Sequence, residues 1–307
     1  QSAAITWKVK KNSCHAQNGV ITGDNGQTLS YGDLAEKAAR LPVPSHIPLK
    51  DPSAYRLIGK PTACLDAPQK IDGSALFSID VKTPGMLTAL VARPPVFGGK
   101  VKSFNADKAK QTPGVKDVVA IDKGIAVVAD TFWQAKKGIS ALEIVWADGS
   151  NASLSTNGMR AQYARHAEEK CIPAREDGDA RAAIAGAASR IEAAYEVPFL
   201  AHACMEPLNC TVDPGRDPCE VWVGTQAQTL HRADCAKALG VRPESVDLHT
   251  TFLGGGFGRR GNPHSDFVVM AAHVARAVRK PVKVIWTRED DMKGGYYRPF
   301  WYSKFSA

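Results

Sequence analysis

The segment Leu253-Gly254-Gly255-Gly256-Phe257-Gly258-Arg259-Arg260 carries the residue types most able to do chemistry in this chain. Consecutive glycines let a bulky ligand approach the backbone, and they permit positive φ. Backbone amides beside two arginines, close to a helix N-terminus, make a site for an anion. Asn262 as N-cap and Pro263 at the first helical position predict that helix start, with an amphipathic run through Arg279 behind it. A tight strand-to-helix turn would use the same glycines, so the run alone does not identify a function. Phe257 reads either as an aromatic wall beside a ligand or as a plug of the core beneath the turn.

Upstream stand His202-Ala-Cys204-Met205-Glu206-Pro207-Leu-Asn209 and Trp222-Val-Gly-Thr225-Gln226-Ala-Gln228. The Gln226 amide both donates and accepts, which suits an oxygen ligand whose protonation changes. Its plainer role is a polar strand-end residue satisfying backbone. His202 and Glu206, four apart on an expected strand, share a face, but a lone His and Glu do not build a zinc site. Structural pairing or pocket lining is the favoured reading, with Met205 in the core. Arg259 and Arg260 suit phosphates or a substrate carboxylate through their planar forks of donors, or form a solvated surface pair. The run 296–302 (Tyr-Tyr-Arg-Pro-Phe-Trp-Tyr) lines a substrate funnel or packs one face of a strand.

The elements that must position these residues are legible in outline. Residues 1–40 hold two short strands about an Asp24-Asn25-Gly26 turn, then a helix after Ser30-Tyr-Gly-Asp33. A proline-rich connector spans 41–61. Strands over 86–92, 115–121, 124–128 and 142–145 alternate with helices over 107–111 and 131–141. A polar linker (149–157) and two alanine-rich helices (158–169, 180–189) precede strands at 191–197 and 209–212. Beyond these come a strand (219–223), a helix (228–239) closed by Gly240 as a C′ glycine, a strand (245–252), the glycine turn, a helix and a strand (282–286). The alternation implies an α+β and α/β chain, with a ligand at the strand ends where the glycine turn sits.

Composition narrows the classes. The chain has 307 residues, 44% hydrophobic and 23% charged, and no run of eighteen apolar residues. Its net charge of +8 comes with acids interleaved among the Lys and Arg and with no nucleic-acid-binding module, so nucleic acid is excluded as the expected partner. Seven cysteines form no C-x-x-C and match neither zinc nor ferredoxin spacings, which predicts buried free thiols. A nucleotide-phosphate enzyme is a weaker reading, because the run lacks both G-x-G-x-x-G spacing and a Gly-Lys-Ser/Thr ending.

In this order, the His202–Asn209 segment, the Trp222–Gln228 segment and the Gly-Gly-Gly-Phe-Gly turn resemble the molybdenum-binding subunit of the xanthine oxidase family of molybdenum hydroxylases. The branch is similar to the isoquinoline 1-oxidoreductase β-subunit and membrane-associated aldehyde dehydrogenase group. Residues 61–149, with Ile71-Asp72-Gly73-Ser-Ala-Leu-Phe77 and Asp130-Thr-Phe132-Trp133-Gln134-Ala135, resemble that family's α/β hammerhead domain. The division implied is 1–60 (strand–helix segment and connector), 61–149 (hammerhead-like) and 150–307 (first part of a molybdopterin-binding domain). The resemblance implies a molybdopterin cytosine dinucleotide cofactor approached by Gln226, Gly255, Gly256, Phe257, Gly258 and Arg259, with molybdenum held through the pterin. It further implies [2Fe-2S] clusters on an iron–sulfur partner subunit, the remaining parts of the molybdenum subunit as partners, and in this branch a cytochrome c. Periplasmic or membrane-associated placement is implied too, with the cytoplasm as the alternative. The turn departs from the xanthine oxidase branch, Arg259-Arg260-Gly261 standing where Gly-Lys-Glu follows there, which argues against a purine substrate. The general-base glutamate of a Gly-Val-Gly-Glu-like segment and a Met-Gly-Gln-Gly-like motif are not in this sequence, so the chain is expected to be a leading portion of a larger subunit. The rival expectation is a non-catalytic structural or assembly fragment that packs on partners without holding the cofactor alone.

Overall fold

The computed structural model describes residues 1–307, which divide into two compact units, 1–67 and 68–307. In the first, helix α1 (Ser2–Trp7) precedes an antiparallel meander of β1 (Cys14–Gln17), β2 (Val20–Gly23) and β3 (Thr28–Ser30), and then α2 (Tyr31–Ala39). Ser30 caps α2: its hydroxyl accepts from the Asp33 amide at 3.1 Å while Asp33 accepts from the Ser30 amide at 2.8 Å.

Helix α3 (Ala67–Asp72) begins at the last residue of the first unit. Next in order are β4 (Leu87–Ala92), β5 (Lys100–Asn105), α4 (Asp107–Lys110), β6 (Val115–Ile121), β7 (Gly124–Ala129), α5 (Phe132–Ala141) and β8 (Glu143–Ala147). Helices α6 (Thr156–His166) and α7 (Ala180–Ala185) lead to β9 (Glu192–Val197), β10 (Asn209–Asp213), β11 (Cys219–Val223), α8 (Gln228–Leu239) and β12 (Val246–Thr250). The chain closes through α9 (Asp266–Val278), β13 (Val282–Ile285), α10 (Arg288–Lys293) and β14 (Trp301–Ser306).

Seven strands form one mixed sheet in the order β12-β11-β10-β13-β4-β7-β6, so strands from 87–129 and from 209–285 share a single layer. The pairs β11–β12 and β13–β4 are parallel; the rest are antiparallel. The near-continuous Val/Ala run of β7, buried at every position, is what a strand covered on both faces requires. Side-chain alternation divides it: Ala126 and Val128 join the core of Phe267, Ala271 and Val274 from α9, whereas Ile125 and Val127 join Ala109 and Val118 on the other face. The fold is therefore mixed α/β, as the alternation of elements implied. The remaining strands pair as β5–β8 and β9–β14.

Two local expectations fail. His202 and Glu206 do not lie on a strand: 201–208 is irregular, with Ala203 at φ 47. Met205 is 88% exposed rather than core, because no periodic element exists there to turn it inward. The thiol expectation holds for Cys204, Cys210, Cys219 and Cys235, which are buried and unpaired; Cys64 and Cys171 are exposed. The aromatic run at 296–302 splits. Phe300 is buried against Tyr163, whereas Trp301 opens β14 and is exposed.

Candidate functional site

Two parallel neighbours, β11 and β12, pair Val223 with Thr250 at their carboxyl ends. Gln226 follows the first strand and the glycine turn follows the second, so strand register alone brings them side by side. Contact is direct. The Gly258 amide donates to Gln226 Oε1 at 3.1 Å, and the Gln226 amide donates to the Arg260 carbonyl at 3.1 Å. The Gln226 NH2 has no protein partner, and Gln226, Phe257 and Gly258 are all exposed.

At two of these glycines a side chain would meet other atoms of the chain. A Cβ on Gly254 would sit 2.3 Å from Glu206 Cβ, and one on Gly256 would sit 2.6 Å from Gln226 Oε1. Gly255 and Gly258 take φ of 103° and 93°, values that L side chains avoid. Phe257 itself is held at φ 51 and is 75% exposed. It is not a core plug. A large aromatic held outward on a left-handed backbone is strain of the kind found at ligand sites.

The arginines are not a solvated pair. Arg259 is buried and forks onto Asp266 at 2.9 and 2.7 Å. Its guanidinium lies between the rings of Trp286 (5.3 Å) and Tyr296 (5.4 Å), and its Nε–H is buried with no partner. Arg260 is fully buried and pairs with Glu206 at 2.9 Å. Helix α9 also starts later than Asn262-Pro263 suggested. Its N-cap is Ser265, at φ 47. Asn262 instead closes a local turn, accepting from the His264 amide at 3.0 Å and donating to Asp266 at 2.7 Å. With Asp266 in its first turn, the helix start already carries its own carboxylate.

Several supporting groups were invisible in the sequence. Thr225, just before Gln226, shares a 2.7 Å hydrogen bond with His231 Nδ1, and His231 packs edge-on against Phe267. Burial holds the His231 pKa below 6.5, and burial also lowers His202 and His273. A folded-state pKa below the unfolded one means the unfolded chain binds the proton first, so this stability is present above about 6.5 and lost as pH falls. Thermal unfolding is expected at lower temperature at pH 5 than at pH 7.5, with His231→Gln flattening the difference; an identical pH slope in that variant would contradict this assignment. A second expected outcome concerns Gly256→Ala. Its methyl displaces the end of a flexible Gln226 side chain, so the fold survives within about 1 kcal/mol, while the Gly258–Gln226 hydrogen bond is lost and its amide proton exchanges faster.

Residues 163–306 match the molybdopterin cofactor-binding domain. Over 97% of its length the chain is 34% identical to the isoquinoline 1-oxidoreductase subunit beta of Brevundimonas diminuta, covering 44% of that protein. It is 27% identical to the aldehyde oxidoreductase molybdenum-binding subunit PaoC of Escherichia coli (strain K12), over 80% of this chain and 37% of that one. The fold superposes on the aldehyde oxidoreductase of Desulfovibrio gigas with a TM-score of 0.63 at 18% identity, over 79% of this chain and 32% of that one. The chain thus spans less than half the length of these relatives.

Proposed function

Because the chain belongs to the molybdenum-binding subunits of the xanthine oxidase family, we propose that it forms one wall of a molybdopterin cytosine dinucleotide site. The site serves an oxidoreductase that hydroxylates an N-heterocycle or oxidises an aldehyde, with water as the oxygen source. The observation that carries this reading is the exposed trio Gln226, Phe257 and Gly258, in which one hydrogen bond joins Gln226 to Gly258 and the space beside Gly258 is open. Open space at Gly258 beside an unpaired amide NH2 fits a bulky, oxygen-rich ligand.

When bound, the cofactor supplies the two-electron redox chemistry. The chain's own residues orient and desolvate. Gln226 donates its free NH2 toward an oxygen ligand, Gly255 and Gly256 allow close approach, and Gly258 presents backbone without steric obstruction. Phe257 keeps bulk water from one side. Arg259 spends two of its five N–H donors on Asp266, and its Nε–H is buried without a partner. That neutralisation, together with Asp266 at the start of α9, weighs against a nucleotide-phosphate enzyme. Residues 61–149 serve in this reading as the hammerhead-like segment.

Partners follow from the same reading: the remaining parts of the molybdenum subunit, an iron–sulfur subunit carrying [2Fe-2S] clusters, and a cytochrome c as acceptor. The placement proposed from the family resemblance is periplasmic or membrane-associated; no helix here is long and apolar enough to cross a membrane. The test is dye reduction by the native complex purified through this chain, across a panel of aldehydes and azaarenes. Substrate-dependent reduction is expected. A folded complex inert to every member of both classes would sink the assignment.

A further inference from the structure

We propose that Glu206 and Arg260 are positioning residues whose buried ion pair holds the glycine turn in its outward-presenting conformation; this rests on the cofactor reading above. Neither faces the exposed trio, and both are almost wholly inside, at 7% and 0% exposure. Their bonds nonetheless converge on the turn from beneath. Arg260 donates from Nε to the Gly255 carbonyl at 2.9 Å, from Nη1 to the Gly224 carbonyl at 3.2 Å, and from Nη2 to both the carbonyl and Oε2 of Glu206 at 2.9 Å. Glu206 Oε2 also accepts from the Gly254 amide at 3.0 Å, and the Glu206 amide donates to the Gly254 carbonyl at 3.0 Å. Its other oxygen, Oε1, accepts from the Ile79 amide at 3.0 Å and from Asn209 Nδ2 at 2.9 Å. Lys283 holds the far side of that support, its Nζ donating to the Ile79 carbonyl at 2.5 Å.

Four separate segments meet on this one pair: the 77–80 turn, the 201–209 loop, the end of β11 and the glycine turn. Packing alone does not ask for this. Apolar residues of similar volume fill such a space without desolvating two charges, so a buried ion pair is poor evidence of stabilisation. What charges supply and methylenes do not is direction. The planar guanidinium fixes where each carbonyl points, and the carboxylate fixes the amide between them. With Gly254 and Gly255 tied inward, the chain emerges through Phe257 at φ 51 and Gly258 at φ 93, both exposed. The neighbouring Arg259 takes no part in this clamp, since its fork is on Asp266.

Hydrogen exchange on the native complex tests the proposal, comparing peptides over the turn (253–261) with α9. Arg260→Met removes the fork at similar volume. Arg260→Lys keeps the charge beside Glu206 but loses the planar geometry, and it decides the matter if the first variant does not assemble. Exchange at 253–261 is expected to rise about tenfold or more in Arg260→Lys with α9 unchanged, and molybdenum content is expected to fall alongside. Unchanged exchange at the turn, or a rise spread equally over β12 and α9, would overturn the positioning role. The two claims fail separately. A wild-type complex without molybdenum whose variants loosen only the turn leaves the clamp standing and removes the cofactor reading. Full molybdenum in wild type and variants alike, with the turn unmoved, does the opposite.

Discussion

Gly254→Ala is expected to be the most damaging single methyl in the glycine turn. The added carbon would lie 2.3 Å from Glu206 Cβ and 3.2 Å from the Glu206 backbone nitrogen, atoms that cannot swing aside as a side-chain tip can. Relief requires the 201–209 loop and the turn to part. That breaks the reciprocal hydrogen bonds between Glu206 and Gly254 and leaves a buried carboxylate short of a donor. A cost of about 3 kcal/mol is expected, at the top of the overpacking range, or a Tm lower by roughly 6 to 12 °C for a unit of this size. Molybdenum content is expected to fall with it. A Gly254→Ala complex with unchanged Tm and full metal would show that the turn tolerates rearrangement and is not the rigid wall described here.

Phe257→Gly is expected to separate function from stability. Phe257 is 75% exposed, so its removal gives up little buried area, and glycine relieves the φ 51 backbone. The extra chain entropy of glycine, about 0.5–1 kcal/mol, offsets that relief, so the stability change is expected to stay within about 1 kcal/mol. Turnover is expected to fall about 10- to 100-fold, equivalent to roughly 1.4–2.7 kcal/mol of barrier, because the proposed function makes Phe257 the aromatic wall beside the ligand. The check is kcat/KM beside Tm for the same preparation. A large loss of Tm would mean that Phe257 is structural after all, and unchanged kcat/KM with unchanged Tm would remove it from the site.

Much of this architecture is readable in the residues, where local chemistry is decisive. Cys-Glu-Val-Trp-Val alternates, and 219–223 is a strand with every second residue buried. Gln228–Leu239 ends at Gly240 with φ 80, the left-handed cap that glycine accepts without cost. Failures fall where local cues compete with tertiary contacts. Asn262-Pro263 has the right chemistry for a helix start, yet the Asn262 side chain is drawn to Asp266 and the His264 amide, and the helix waits until Asp266. Met205 was given to the core on hydrophobicity alone, in a segment that has no strand to orient it. The partners of Glu206 and Arg260 were illegible for a different reason. They are 54 residues apart, and only the parallel pairing of β11 with β12, closed by the irregular 201–208 loop, brings them together. In the candidate site, types and order single out Gln226 and the glycines, and the structure brings Gln226 against the turn. The burial of both arginines was not, because a charged pair after a turn looks the same in sequence whether it meets water or a carboxylate.

The most direct measurement is the molybdenum content of the native complex captured through this chain. The account requires near-stoichiometric metal per copy, with the pterin dinucleotide released on denaturation. A folded complex with its partner chains present and no molybdenum would contradict it, and would leave the chain as a structural or assembly component.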